Sequence, residues 1–308
     1  MKKLISVIFI ISLILTSCAE FAPNYGAALD DTSVSDVKRD DVADTIPSKE
    51  PPAIDTLDTN GTASVDEPDH TSTESTSDAE TVTEPLETEE VPTTPPTGIV
   101  YMTFDDGPCK NTERVLEILE KYGIKATFFL VGTNIKKYPD AVRAVYSNGH
   151  LIGCHSVTHN YDDIYASVDA IRQDISAWES IVSDVLGAAP SERLYRFPGG
   201  STCSAIKKGV FEELHAVVLD MGYRAFDWTF GNNDRWDADR KEGQSVEDYL
   251  KESVKISLKL GGKPHILLLH ETASATVDTL EWTIEYLLSE GYVFDTLDNL
   301  EGEYLFRR

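Results

Sequence analysis

The chain has 308 residues, is 41% hydrophobic and carries a formal net charge of -26. That apolar fraction is enough for a packed core, while so acidic a balance speaks against recognition of nucleic acid through basic surface. The acid is unevenly spread, and the chain falls into three segments.

Met1 to Cys18, "MKKLISVIFIISLILTSC", has a short basic start, an apolar run too short for a confident span, and Leu15-Thr16-Ser17-Cys18 at its end. An ordinary signal peptide or an N-terminal anchor helix accounts for the run, but the Leu-x-small-Cys ending resembles a bacterial lipobox. That resemblance implies that Cys18 is lipidated and anchors the protein to the outer side of the cytoplasmic membrane. Ala19 to Thr97 is Thr, Ser, Pro, Asp and Glu with few aromatics, and it contributes about 17 of the net negative charges. Such a segment cannot bury enough apolar surface to offset its ordering entropy. It reads as a disordered tether of about 80 residues, spanning on the order of 50 Å, which holds a domain out toward a cell wall.

Gly98 to Arg308 is of a size for one domain and carries the chemistry. Its three cysteines, Cys109, Cys154 and Cys203, are an odd count that argues against a complete disulfide framework. Seven short apolar runs follow in order: "IVYMTF", "KATFFLVG", "HLIGC", "RLYRF", "YRAFDW", "HILLLH" and "YVFDT". Amphipathic stretches lie between most of them. "NTERVLEILEKYG" has a cap at Asn111 or Thr112 and a stop at Gly123, and "ASVDAIRQDISAWESIVSDVLG", "SVEDYLKESVKISLKLGG" and "TVDTLEWTIEYLLSEG" repeat the pattern. Strands alternating with helices predict a parallel α/β sheet, open or closed into a barrel.

The unusual polar residues fall at the ends of these runs. Asp105 and Asp106 follow the first, His155 and His159 the third, and Arg196 ends the fourth. Asp227, Trp228 and Asp234 follow the fifth, and His270 closes the sixth. In a parallel barrel all these ends lie on the face where active sites are built. The adjacent carboxylates of "TFDDGP" suit a turn; they repel and resist burial unless something cationic or hydrogen-bonding stabilises them, so the pair lies at a solvated loop mouth or holds an ion. "HSVTH" spaces two histidines so that one helical turn would bring both rings to one side. No Glu follows the first as in zincins, so the pair alone is also compatible with incidental histidines. Two imidazoles plus one carboxylate form a ligand set for catalytic divalent ions, and the second Asp is then free to act on water.

At this point the chain resembles the polysaccharide deacetylases, carbohydrate esterase family 4, with the NodB-homology fold. The resemblance rests on "TFDDG", "HSVTH", "RFPGG", "WTFGNND" and "LLH" in that order, and it spans essentially all of Gly98 to Arg308. It implies a distorted (β/α)7-8 barrel. It also implies a metal site of Asp106, His155 and His159, holding Zn2+ or Co2+. Asp105 would be the general base acting on metal-activated water, with Arg196 holding it; His270 would be the general acid, oriented and kept charged by Asp234. Trp228 and Leu268 would line the sugar face and the acetyl pocket, and the backbone N–H of Gly199 would hold the oxyanion. The implied activity is hydrolysis of a linear amide, the N-acetyl group of a cell-wall polysaccharide, with N-acetylglucosamine of peptidoglycan as the expected substrate. Chitin oligomers, another N-acetylglucosamine polymer and acetylxylan are alternatives, and a non-catalytic glycan-binding module is an alternative of another class. The family often has an aromatic residue where "RFPGGS" has Gly199. Cys109 and Cys154, beside the implied ligands, read as buried small hydrophobes, a disulfide or soft ligands. Arg193 competes with Arg196 only by charge, His150, His215 and His265 have no partner pattern, and His70 lies in the tether.

Overall fold

The computed structural model describes residues 95–306 apart from 208 and 236–237. The leader, Cys18 and most of the acidic tether lie outside the described residues.

β1 (Gly98–Gly107) is followed by α1 (Thr112–Lys121), β2 (Thr127–Leu130), α2 (Gly132–Lys137), α3 (Pro139–Ser147) and β3 (Leu151–Cys154). Then come α4 (Tyr161–Ile164), α5 (Val168–Leu186), β4 (Leu194–Tyr195), α6 (Phe211–Asp220), β5 (Arg224–Ala225) and β6 (Phe230–Gly231). α7 (Val246–Leu260), β7 (His265–His270), α8 (Ser274–Asp278), α9 (Leu280–Ser289) and β8 (Tyr292–Asp295) complete the order. The strands pair in parallel as β5-β4-β3-β2-β1-β7-β6, with β8 also on β1. β5 and β6 are the free ends of this curled sheet, so the barrel stays open between them. The expected distorted (β/α) barrel is therefore the observed fold, with one strand more than the seven runs because the two-residue β6 is too short to leave a hydrophobic pattern.

Strand alternation sorts the residues into two layers. On β1, Val100, Met102 and Phe104 pack outward into the large core beneath the helices, whereas Tyr101 joins a small inner cluster with Phe129, Leu194, Phe226 and Ile266. Thr103 and Asp105 share the inner parity of Tyr101. By the same rule Leu268 and His270 share the parity of Ile266 on β7, and Arg196 follows Leu194 inward from β4. Cys154 falls on the outer parity and sits in the helix-side core.

Helices form where the sequence carries caps and an apolar stripe. In α5, Ile171, Ile175, Trp178, Ile181 and Val182 recur at helical spacing and are buried, the Ser167 hydroxyl accepts from the Ala170 N–H, and Gly187 ends the helix at φ 84°. Two expectations differ. Asn111 stands at the N-cap of α1 but makes no side-chain cap bond; its Nδ2 donates 2.9 Å to the carbonyl of Glu271. The single helix expected over "TVDTLEWTIEYLLSEG" is two, broken at Thr279, whose hydroxyl bonds back to the carbonyls of Ala275 and Thr276.

Candidate metal centre and active site

The site gathers at the carboxyl ends of β1, β3, β4 and β7. Asp105, the last inward residue of β1 before the chain turns, is buried, and its Oδ1 lies 2.7 Å from Nη1 of the fully buried Arg196. The same Nη1 donates to Thr103 Oγ1 at 2.7 Å, Nε donates to the carbonyl of Phe226 and Nη2 to that of Asp227. Phe129 stacks under the guanidinium at 4.2 Å. Arg196 is thus fixed on all sides, and Asp105 with it. Arg193 is instead half-exposed and paired with Glu179, so Arg196, and not Arg193, is the partner of Asp105.

Asp106 has φ 68°, which turns its side chain away from that of Asp105. Its carbonyl accepts from Asn134 Nδ2 at 2.8 Å, which holds the turn in place. At adjacent Gly107 a Cβ would run into the buried Glu271 carboxyl, which would have to move. Asp106 Oδ1 lies 3.5 Å from His155 Nε2 and 3.4 Å from His159 Nε2, and it is buried with no hydrogen-bond partner among the described residues. One ligand atom from each of these three side chains falls within 4.8 Å of the others. A buried carboxylate oxygen between two imidazole nitrogens, making a hydrogen bond to neither, has the chemistry of an Asp/His2 cation site. The donor set fits a divalent ion.

The histidines arrive by a different route from the one expected. "HSVTH" is no helical turn: Ser156 and His159 have φ of 67° and 58°, and the loop is tied down by Val157 N–H to Asp174 and His159 N–H to Ser156 Oγ. Left-handed kinks, not helical periodicity, bring the rings to 5.0 Å between centroids. His155 Nδ1–H donates 2.9 Å to the carbonyl of Arg196, which leaves the Nε2 lone pair toward Asp106. Burial, aided by the neighbouring His155, pushes the His159 imidazole down to about 4, so it is neutral at pH 7. Burial opposes the charge on Asp106, but His270, His159, His155 and Arg235 outweigh it and hold this carboxyl well below the usual range.

On the opposite wall, His270 Nδ1–H donates 2.7 Å to Asp234 Oδ1, and the His270 N–H donates 2.8 Å to Oδ2. Burial would lower the pKa of His270, but the Asp234 carboxylate overrides it and the pKa is raised. Asp234 is itself held by the Thr276 hydroxyl at 2.6 Å. His270 Nε2 lies 4.0 Å from Asp106 Oδ2, facing the cation site.

Leu268 is half-buried on the inner parity of β7, and Trp228 is half-buried with its ring edge-on to Phe306 at 5.1 Å. Gly199, at φ 76°, could not be an aromatic residue here, because Cys203 Sγ and the Tyr161 hydroxyl lie 2.9 and 3.0 Å from where its Cβ would be. Asp227 is no site residue: it accepts from Ser201 and from the N–H of Phe306 and anchors the C-terminal segment. No disulfide joins Cys109, Cys154 and Cys203 among the described residues, so the disulfide option falls. Cys154 faces away from the site, and Cys109 Sγ lies 3.5 Å from the carbonyl of Glu271. His150 accepts from the N–H of Ala126, His215 pairs with Glu303, and His265 is buried against Tyr292.

Four residues of this site went unnoticed in the sequence. Thr103 carries a usable signal, inner parity two residues before Asp105. Thr276 carries none, because its contact with Asp234 is 42 residues distant. Arg235 donates to Asp106 Oδ2, and Glu271 lies buried behind Gly107, its carboxyl pushed up to about 8 by burial. Both adjoin motif residues, but their types alone do not reveal these contacts.

His159→Ala is expected to lower divalent-metal content from one equivalent to a small fraction of it, by about 100-fold in affinity, measured by metal analysis after dialysis. Retained stoichiometric metal would remove His159 from the ligand set.

The polysaccharide deacetylase family model matches residues 93–225. A peptidoglycan N-acetylglucosamine deacetylase of Bacillus cereus is 31% identical over 201 residues, which is 64% of this chain and 68% of the relative. The catalytic domain of a peptidoglycan N-acetylglucosamine deacetylase from Eubacterium rectale superposes with a TM-score of 0.59 at 29% identity, over 68% of this chain and 92% of that domain. A polysaccharide deacetylase from Bacillus cereus gives a TM-score of 0.57 at 29% identity, over 68% and 96%. An opened parallel barrel with these groups at its strand ends, and relatives alike in sequence and in fold, lead to one conclusion: the chain belongs to the polysaccharide deacetylase family and is a deacetylase.

Proposed function

We propose that this deacetylase is a divalent-metal hydrolase, zinc-loaded, that removes N-acetyl groups from N-acetylglucosamine residues of peptidoglycan. The observation that carries the metal dependence is the buried Asp106 Oδ1, unpartnered between His155 and His159. A divalent ion held by these three would supply Lewis-acid polarisation and lower the pKa of water. An amide is a poor electrophile with a poor leaving group, so a base, oxyanion stabilisation and a proton donor are also needed. Asp105 is the base: Arg196 occupies Oδ1, and Oδ2, 3.7 Å from His155 Nε2, is left to take a proton from water. The N–H of Gly199 is the proposed oxyanion donor. His270, its Nδ1 fixed by Asp234, presents Nε2–H to the departing amine nitrogen. Trp228 and Leu268 form the sugar and acetyl contacts. The choice of peptidoglycan is supported by what the relatives from Bacillus cereus and Eubacterium rectale act on by name.

The test is acetate release by the full chain from purified peptidoglycan and from N-acetylglucosamine oligomers, after chelation and after adding back zinc or cobalt. Metal-restored release from peptidoglycan is expected. Release from the oligomers alone would reassign the substrate, and release unaffected by chelation would remove the metal.

Asp234→Asn gives a signed pH prediction. His270 donates its proton only below its pKa, which Asp234 raises. Without the carboxylate, the alkaline limb of the kcat profile moves to lower pH and the maximum falls by about 100-fold. An unmoved alkaline limb would mean that another group is the acid.

We further propose that lipidated Cys18 holds the catalytic domain outside the bacterial membrane, facing the wall. Cys18→Ala is expected to move the protein from the membrane to the soluble fraction, and unchanged fractionation would rule out this anchor.

A further inference from the structure

The two oxygens of Asp106 have different surroundings. Oδ1 faces His155 and His159, whereas Oδ2 accepts from Arg235 Nη2 at 2.5 Å. The same Nη2 donates to Thr272 Oγ1 at 2.5 Å, so the guanidinium is held at two points. The backbone leading up to it is also held. Asn233 takes φ 59°, Asn232 Oδ1 accepts from the N–H of Asp234, and Asn232 Nδ2 donates to Thr276 Oγ1, which in turn donates to Asp234. This staples the loop after β6 to α8. Adjacent residues of one loop therefore serve opposite walls of the site, Asp234 on His270 and Arg235 on Asp106. The Asp106 side chain is only 21% exposed, against 49% for that of Arg235, so the pair is less open to solvent than an ordinary surface ion pair.

A carboxylate can give a cation one oxygen or two, and a catalytic site needs positions left open for water and substrate. We propose that Arg235 is a positioning residue that keeps Asp106 a one-oxygen ligand, by engaging Oδ2 and leaving only Oδ1 to the metal. This rests on the reading of Asp106 as a ligand. When Arg235 is removed, Oδ2 is free to turn toward the ion, a neighbouring positive charge is lost, and an open position is filled.

The test compares the unsubstituted full chain with Arg235→Met and Arg235→Lys, each loaded with Co2+. The readouts are dissociation constants from chelator competition and the visible absorption of the bound ion, which weakens as coordination number rises. Arg235→Met is expected to bind about tenfold more tightly, as when a unit positive charge leaves the edge of a partly exposed cation site. Its visible band should weaken and its kcat fall with KM little changed, and Arg235→Lys should restore much of the native spectrum. An Arg235→Met protein with native affinity and an unchanged band, or with weaker metal binding, would overturn the proposal. If the unsubstituted chain binds the metal yet releases no acetate, the deacetylase mechanism fails, while the affinities and spectra still decide the role of Arg235. No metal binding by the unsubstituted chain would overturn both.

Discussion

Asp105→Asn is expected to keep one equivalent of divalent metal and to lose about 10³-fold in kcat with KM little changed, the range for removal of a positioned general base. The geometry separates it from its neighbour. Asp106 Oδ1 reaches both His155 and His159, at 3.5 and 3.4 Å, whereas Asp105 Oδ2 reaches only His155, at 3.7 Å, and its other oxygen belongs to Arg196. Asn is nearly isosteric, and its carbonyl oxygen can still accept from Arg196 Nη1, so the fold around the site should survive. Metal analysis and steady-state kinetics on the same preparation decide the matter. Loss of the metal together with activity would exchange the roles of the two carboxylates, and unchanged turnover would remove Asp105 from the reaction.

Much of this site was legible because strand ends were legible. Short apolar runs mark β1, β3 and β7, and the residues after them are at the carboxyl face of a parallel sheet by construction. Alternation along β1 then places Asp105 inward, a step that needs only the parity of Tyr101 and Thr103. What the pattern could not supply is backbone conformation off the strands. The "HSVTH" spacing suggests a helical turn, while the rings are brought together by left-handed Ser156 and His159 in a loop pinned by Asp174. The two-residue β6 leaves no periodicity, and Thr279 breaks a continuous amphipathic stretch through a local side-chain bond that propensity does not anticipate. Arg235 and Glu271 illustrate a further limit. Each lies beside a motif residue, yet the partner that gives it meaning comes from β1, more than a hundred residues earlier in the chain.

Arg196→Met is expected to cost the larger share of stability. The guanidinium is fully buried and its donors serve Asp105, Thr103 and the carbonyls of Phe226 and Asp227. Met keeps the apolar stem but lacks the charge and the outer guanidinium atoms, so a small loss of packing adds to the loss of the interactions. Removing one partner of a buried pair leaves the other charge uncompensated, at about 3–5 kcal/mol. For a domain of this size that is on the order of 10 °C in Tm. Activity should fall at least as far as in Asp105→Asn, since the base loses its orientation. The double variant Asp105→Asn, Arg196→Met discriminates between two accounts of that cost. If the charge pair dominates, removing both members relieves the orphaned carboxylate, and the double variant is more stable than the sum of the single effects predicts by about 1–3 kcal/mol. If the two losses simply add, Arg196 acts mainly by tying the end of β4 to the carbonyls of Phe226 and Asp227 that follow β5, and its contact with Asp105 contributes orientation alone. Either result separates what the buried arginine does for the fold from what it does for the base.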